Sequence, residues 1–175
     1  MIVDLFTIPI FIGNIDVEKI NINNKNFQKT WITETPSTYY ESFENVSNMA
    51  EENIKYLLET IVKILEEKIK YPFELNLSNI WENDYNNDYQ EPHIHAHSEF
   101  SFIIYKDVIE GRTVFLNPIR NFLHIYGEIA HMYQSEFMPK CKTGQIIIFP
   151  SFLEHMVLKS SKQKTISGNL RFKKK

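Results

Sequence analysis

The chain has 175 residues, the size of one ordinary domain. Its hydrophobic share of 43% and charged share of 23% are typical of a globular protein and exclude a largely disordered chain. The formal net charge of −3 gives no overall basic surface for nucleic acid, and a single cysteine, Cys141, excludes both an intramolecular disulfide and a cysteine-based zinc site.

The first part of the chain predicts a short β-rich opening and one long helix. Ile8, Ile10 and Ile12 alternate, which favours a strand within residues 5–15. Apolar residues then recur at spacings of three and four over about 47–70, which predicts an amphipathic helix that begins near Ser47 and packs against a sheet. We expect one domain over 1–175, in which residues 1–72 support a core at 73–172.

After Pro72 the pattern changes to short β-like runs separated by turns. Strands of this length and spacing favour a sandwich or a barrel, so the fold class is mainly β with flanking α. The predicted strands are Leu75–Trp81, Tyr89–His97, Glu99–Tyr105, Thr113–Leu116, Gly144–Phe149, His155–Leu158 and Lys164–Phe172.

Three histidines alternate within one of these runs. Side chains alternate between the two faces of a strand, so we expect His93, His95 and His97 to share one face. Neutral imidazole is a common ligand of divalent first-row metals, and two such donors on one strand would supply neighbouring coordination positions. The alternative is an exposed histidine-rich strand that binds no metal.

A further histidine, His155, follows the buried run Ile146–Phe149 and the turn at Pro150. A close histidine pair and a single histidine roughly 60 residues later match the spacing of a facial triad. Non-haem Fe(II) oxygenases hold their metal on one face of this kind and leave the other positions open.

These motifs resemble those of the 2-oxoglutarate–Fe(II) oxygenases of bacteria and tailed phages. The resemblance covers nearly the whole chain, and the combination of Pro-His-x-His with Phe-Pro-Ser-x-Leu-x-His is its most specific part. The matching segments are 5–10, 81–83, 87–95, 98–105, Gly111, 114–115, 117–118, Pro139, 144–157 and 165–170.

The resemblance implies a double-stranded β-helix, or jelly-roll barrel, with Fe(II) at its mouth. By residue, it implies that His93, His95 and His155 bind the iron, with His95 in the place of the carboxylate used across the wider superfamily. His97 and Glu99 stay open as alternative ligands or as residues that contact the ligands.

The resemblance also implies 2-oxoglutarate as cosubstrate, with its far carboxylate bound by a basic residue on the strand after His155. The usual arginine position is occupied here by Gln163, which leaves Arg171 or Lys164 as the basic group. The candidate cosubstrate-binding residues are therefore Arg171, Lys164, Gln163, Tyr105, Ser101, Asn83 and Thr165.

The function implied is an Fe(II)- and 2-oxoglutarate-dependent dioxygenase, an oxidoreductase that hydroxylates a substrate which the sequence does not name. O₂ and 2-oxoglutarate would be its partners, with no membrane partner and no indication of nucleic acid. Because a free thiol fits a reducing compartment and no secretory signal is visible, we expect the cytoplasm, or the host cytoplasm if a phage encodes the chain. The alternative, favoured by Gln163, is a metal-binding jelly-roll module without oxygenase activity, serving as an accessory or structural protein of a phage or bacterium.

Overall fold

A computed structural model describes residues 7–23, 26–29, 35–44, 49–160 and 162–175. Nine strands, three α-helices and two 3-10 segments occur in these ranges. The strands are β1 Phe11–Asn14, β2 Phe73–Tyr85, β3 Asp88–His93, β4 Phe100–Val108, β5 Thr113–Leu116, β6 Glu136–Phe137, β7 Gln145–Pro150, β8 His155–Ser160 and β9 Gln163–Lys174. The helices are α1 Glu41–Glu44, α2 Glu51–Leu65 and α3 Arg120–Leu123, and the 3-10 segments are Val17–Lys19 and His124–Met132.

The strands form two antiparallel sheets. The larger sheet has the order β1-β7-β4-β9-β2 and the smaller sheet the order β3-β8-β5-β6. From β2 onward the chain alternates between the two sheets, except that the consecutive strands β5 and β6 both lie in the smaller sheet. This arrangement confirms the predicted jelly-roll architecture with one long helix.

The central strands of the larger sheet are buried on both faces. Phe102 and Ile104 of β4 pack in the core cluster that contains Leu57 and Ile61 of α2. Between them, Ile103 belongs to a second cluster inside the barrel. Burial on two faces is why β4 reads as a continuous apolar run instead of alternating with polar residues.

Helix α2 covers the outer face of the larger sheet. Its residues Leu57, Ile61 and Leu65 are fully buried, and each contributes roughly 2 kcal/mol of hydrophobic stabilisation. The helix is shorter than the predicted span 47–70: it begins at Glu51 after Ala50, and its regular hydrogen bonding gives way to turns after Leu65. Ser47, the expected cap, lies outside the described residues.

The turn that follows β2 is built on a left-handed residue. Asn87 has φ 64°, a conformation that asparagine tolerates better than most residues other than glycine. It reverses the chain from β2 of the larger sheet into β3 of the smaller one, and β3 ends at His93. No described helix is long and apolar enough to cross a membrane.

Candidate active site

Strand pairing brings His93 and His155 together. His93 is the last residue of β3, His155 is the first residue of β8, and the two are direct cross-strand partners in the smaller sheet. His95 follows in the turn after β3, where its backbone N–H donates to the carbonyl of Ser151 at 3.0 Å. One ligand nitrogen from each of these three histidines lies within 4.8 Å of the others.

The prediction that His97 shares a strand face with the other two was wrong. The strand ends at His93, and His97 lies in the turn with φ 64°, exposed to solvent and outside the three-histidine cluster. The other alternative ligand, Glu99, is engaged elsewhere: its carboxylate accepts the N–H of Phe172 at 2.8 Å and lies 3.8 Å from Arg171.

Hydrogen bonds at the Nδ1 atoms set the tautomer of all three rings. His93 donates from Nδ1 to the carbonyl of Glu91 at 2.8 Å, and His155 donates from Nδ1 to the carbonyl of Leu153 at 3.0 Å. His95 donates from Nδ1 to Oδ1 of Asn169 at 2.6 Å. Because each proton sits on Nδ1, the lone pair of each Nε2 is left for a metal.

A neighbouring amide supports the same assignment for His93. The hydroxyl of Tyr85 donates to Oε1 of Gln90 at 2.8 Å, which turns the Gln90 amide nitrogen towards His93 Nε2 at 3.4 Å. An amide nitrogen only donates, so Nε2 of His93 is the acceptor. Gln90 was not among the predicted site residues, because its contact depends on the irregular pairing between Gln90 and His93 in β3.

Burial keeps the three rings neutral. Desolvation lowers the pKa of His93, lowers that of His95 to about 4 and lowers that of His155 well below its usual value. Three neutral imidazoles that converge in this way form a donor set suited to a divalent cation of the first transition row. The arrangement therefore fits the iron that the motif implies.

Two cavities meet at the histidines. A small inner chamber of about 20 Å³ extends into the barrel beneath them, and a larger outer cavity of about 500 Å³ opens on the other side. His93, His95 and Trp81 border both cavities. A molecule bound to the metal could therefore reach inward while a second molecule approaches from outside.

The predicted cosubstrate residues divide between several environments. Asn83, Gln163 and Thr165 line the inner chamber, and Arg171 lines the outer cavity. Lys164 lies on the opposite face of β9, where it pairs with Asp84 at 3.1 Å.

Two further predicted cosubstrate residues do not line the chamber, and their hydroxyl groups are bonded to other side chains. Tyr105 donates to Thr113 at 2.9 Å. The hydroxyl of Ser101 is hydrogen-bonded to Asn169 and Ser151 and lies 3.1 Å from Nδ1 of His95. Ser101 therefore belongs to the network that orients His95.

Alternate residues of β9 line the two cavities. Gln163, Thr165 and Ser167 face the inner chamber, while Asn169 and Arg171 face the outer cavity further along the same side of the strand. One face of β9 thus forms a continuous wall past the histidine cluster.

The fold and the site define an iron-dependent oxygenase of the jelly-roll type. Residues 79–167, just over half of the chain, match the family described as "Putative 2OG-Fe(II) oxygenase". The chain belongs to this family and is a 2-oxoglutarate-dependent enzyme whose cofactor is Fe(II). A comparison with curated proteins finds no match.

Solved structures share the fold at low sequence identity. An oxidoreductase of the 2OG-Fe(II) oxygenase family from Burkholderia pseudomallei has a TM-score of 0.52 at 11% identity, over 93% of this chain and 67% of that one. A Pseudomonas putida prolyl-4-hydroxylase has a TM-score of 0.51 at 11% identity, over 83% and 77%. The epimerase SnoN, in complex with Fe³⁺, alpha ketoglutarate and nogalamycin RO, has a TM-score of 0.55 at 10% identity, over 83% and 66%. The chain thus spans about two thirds of the length of the first and third of these structures.

Proposed function

We propose that His93, His95 and His155 hold the Fe(II) through their Nε2 atoms. The observation that carries this assignment is that all three Nδ1 atoms are hydrogen-bond donors, so each Nε2 is unprotonated in a cluster whose ligand atoms lie within 4.8 Å of one another. When bound, Fe(II) and 2-oxoglutarate supply the oxidising chemistry, in which decarboxylation to succinate accompanies the reduction of O₂. The residues of the chain orient the three imidazole rings and keep them neutral.

The inner chamber is the proposed position of the cosubstrate. It begins at the three histidines and runs along β9, and it is lined by Asn83, Gln163 and Thr165, which offer hydrogen bonds. Lys164 is turned away from it, and Arg171 is on the side of the outer cavity. The chamber residues are therefore better placed than the two basic residues to contact a 2-oxo acid bound at the histidines.

The outer cavity is the proposed binding site of the substrate to be oxidised. Its volume of about 500 Å³ is in the usual range for small-molecule sites, and it borders His93 and His95 directly. Tyr39 and Trp81 supply aromatic surface, with ring centroids 4.9 Å apart. Hydroxylation of a molecule bound in this cavity is the reaction that the arrangement supports best.

The buried free thiol of Cys141 favours the cytoplasm as the location of the protein.

Succinate formation tests the proposal. Protein reconstituted with Fe(II) should convert 2-oxoglutarate to succinate slowly in air even without a second substrate, and H155A should abolish this conversion. H97N is the matched control, because it removes an exposed histidine next to the cluster and should leave the conversion unchanged. Iron binding at the cluster without succinate formation would instead favour a metal-binding jelly-roll module without oxygenase activity.

A further inference from the structure

The inner chamber is polar but carries no fixed charge. Among the residues that the structure describes, no lysine, arginine, aspartate or glutamate lines it. Its polar lining consists of amide, hydroxyl and imidazole groups. A carboxylate that enters this chamber therefore finds no opposite charge beyond the metal itself.

Gln163 has a fixed orientation in this chamber. The side chain is fully buried, and its Oε1 accepts the backbone N–H of Arg112 at 3.0 Å. A backbone N–H only donates, so the atom that it contacts must be the oxygen of the Gln163 amide. The other terminal atom of that amide is therefore the nitrogen Nε2. Nε2 is buried and has no hydrogen-bond partner among the residues that the structure describes.

A buried donor without an acceptor destabilises the folded protein unless a ligand in the chamber accepts its hydrogen bond. Asn83, which is also buried, donates from Nδ2 to Thr165 at 3.3 Å and to Ser167 at 3.2 Å, and its Oδ1 is likewise without a partner. The chamber thus offers one free donor and one free acceptor. This pair suits a neutral polar group at least as well as a carboxylate, which can only accept.

We propose that Gln163 is a specificity-determining residue for the cosubstrate, and that the chamber accepts 2-oxo acids with uncharged tails nearly as well as it accepts 2-oxoglutarate. This inference rests on the proposed binding of Fe(II) at the three histidines and of the 2-oxo acid in the inner chamber. The tail carboxylate of 2-oxoglutarate receives a hydrogen bond from the uncharged amide Nε2 of Gln163 instead of a salt bridge with a cation. Because burial of a carboxylate without a cation costs hydration that this bond only partly replaces, loss of the tail carboxylate costs little affinity.

The test compares two 2-oxo acids of equal chain length, 2-oxoglutarate and 2-oxopentanoate, whose tail ends in a methyl group. Each is titrated anaerobically into the Fe(II)-loaded full chain, and the visible charge-transfer band of the complex gives the dissociation constant. We expect the two constants of the native protein to differ by less than about tenfold. A larger difference in favour of 2-oxoglutarate would overturn the inference.

Variants at Gln163 assign the effect to this residue. Q163L should weaken the binding of 2-oxoglutarate by at least about tenfold, because it removes a hydrogen bond to a charged acceptor, and should leave the binding of 2-oxopentanoate unchanged or tighter. Q163K adds a cation and should increase the preference for 2-oxoglutarate by at least tenfold. The matched control is K164A, on the opposite face of β9, which should leave both constants unchanged.

The outcomes separate this inference from the function on which it rests. Absence of the band with both acids, in folded protein that has bound iron, would overturn the proposed function. A normal band with 2-oxoglutarate, combined with equal weakening of both acids in Q163L, would overturn only the role of Gln163. If Q163L does not fold, the ratio measured for the native protein still decides whether the chamber discriminates against a neutral tail.

Discussion

The imidazole of His95 donates from Nδ1 to Oδ1 of Asn169 over 2.6 Å, and this bond ties the turn after β3 to β9 of the other sheet. The same Oδ1 accepts the hydroxyl of Ser101 at 2.8 Å, and Ser101 in turn contacts Ser151. His95 is not held by a strand of its own, because β3 ends at His93. Its orientation therefore depends on this polar network.

Loss of the acceptor at position 169 should weaken metal binding. N169A leaves Nδ1 of His95 without its partner, and we expect the affinity for Fe(II) to fall by roughly 10- to 100-fold, as is usual when a group that orients a ligand is removed. N169D keeps an oxygen acceptor and should retain most of the affinity. Anaerobic titration with Fe(II) or Co(II) measures both, and an unchanged affinity in N169A would contradict the role given to this bond.

The metal-free protein should lose stability as the pH falls below the ordinary range of histidine. Burial lowers the pKa of His95 to about 4, so between about pH 6.5 and 4 the unfolded chain binds a proton that the folded chain does not. Stability contributed by the neutral ring is complete above pH 6.5 and declines towards pH 4. The contribution of His95 to the free energy of unfolding is about 2 kcal/mol smaller at pH 5 than at high pH.

Urea unfolding at pH 7 and pH 5 measures this dependence. The lowered pKa values of His93 and His155 act in the same direction. H95Q should reduce the pH dependence, while H97N, which removes an exposed histidine, should keep it. A free energy of unfolding that is equal at pH 7 and pH 5 would contradict the neutral, buried state of the cluster.

Cys141 should be unreactive in the folded protein. The residue is 2% exposed, and burial raises the pKa of its thiol to about 11, so very little thiolate is present at pH 8. A disulfide reagent should label it only as fast as the chain unfolds, and should label it at once in denaturant. Stoichiometric labelling within seconds under native conditions would show that the thiol is accessible.

Gly168 is required by the packing of β9. A Cβ at this position would meet the ring of Phe102 and would lie 2.8 Å from the carbonyl oxygen of Asn79, which belongs to the backbone and has little room to shift. We expect G168A to lower the free energy of unfolding by about 1–3 kcal/mol. K173A, at an exposed position of the same strand, is the control and should change it by less than about 0.5 kcal/mol.

Local patterns in the sequence were sufficient to predict most of the strands and the long helix. The strands after Pro72 were predicted because each combines β-branched or aromatic residues with a turn signal. The structure contains all of them, but the strand predicted over Tyr89–His97 ends already at His93. The two-residue strand β6 was missed, since Glu136–Phe137 is too short to show a period. Helix α2 was predicted too long, because Ile69 continues the apolar spacing although the regular helix ends at Leu65.

The site was predictable only where it depends on spacing along the chain. The alternation of His93 and His95 and the later His155 were visible in the sequence, and the fold brings the three together. The turn that separates His97 from them was not visible, because its left-handed backbone depends on tertiary contacts such as the bond from His95 to Ser151. The contact between Gln163 and the backbone of Arg112 is also long-range and leaves no local pattern.

A crystal structure of the protein with Fe(II) and 2-oxoglutarate, prepared without oxygen, tests the central claim most directly. The predicted result is one iron bound by Nε2 of His93, His95 and His155, with the cosubstrate extending into the inner chamber towards Gln163. Iron bound by His97 or Glu99, or 2-oxoglutarate lying in the outer cavity against Arg171, would contradict it.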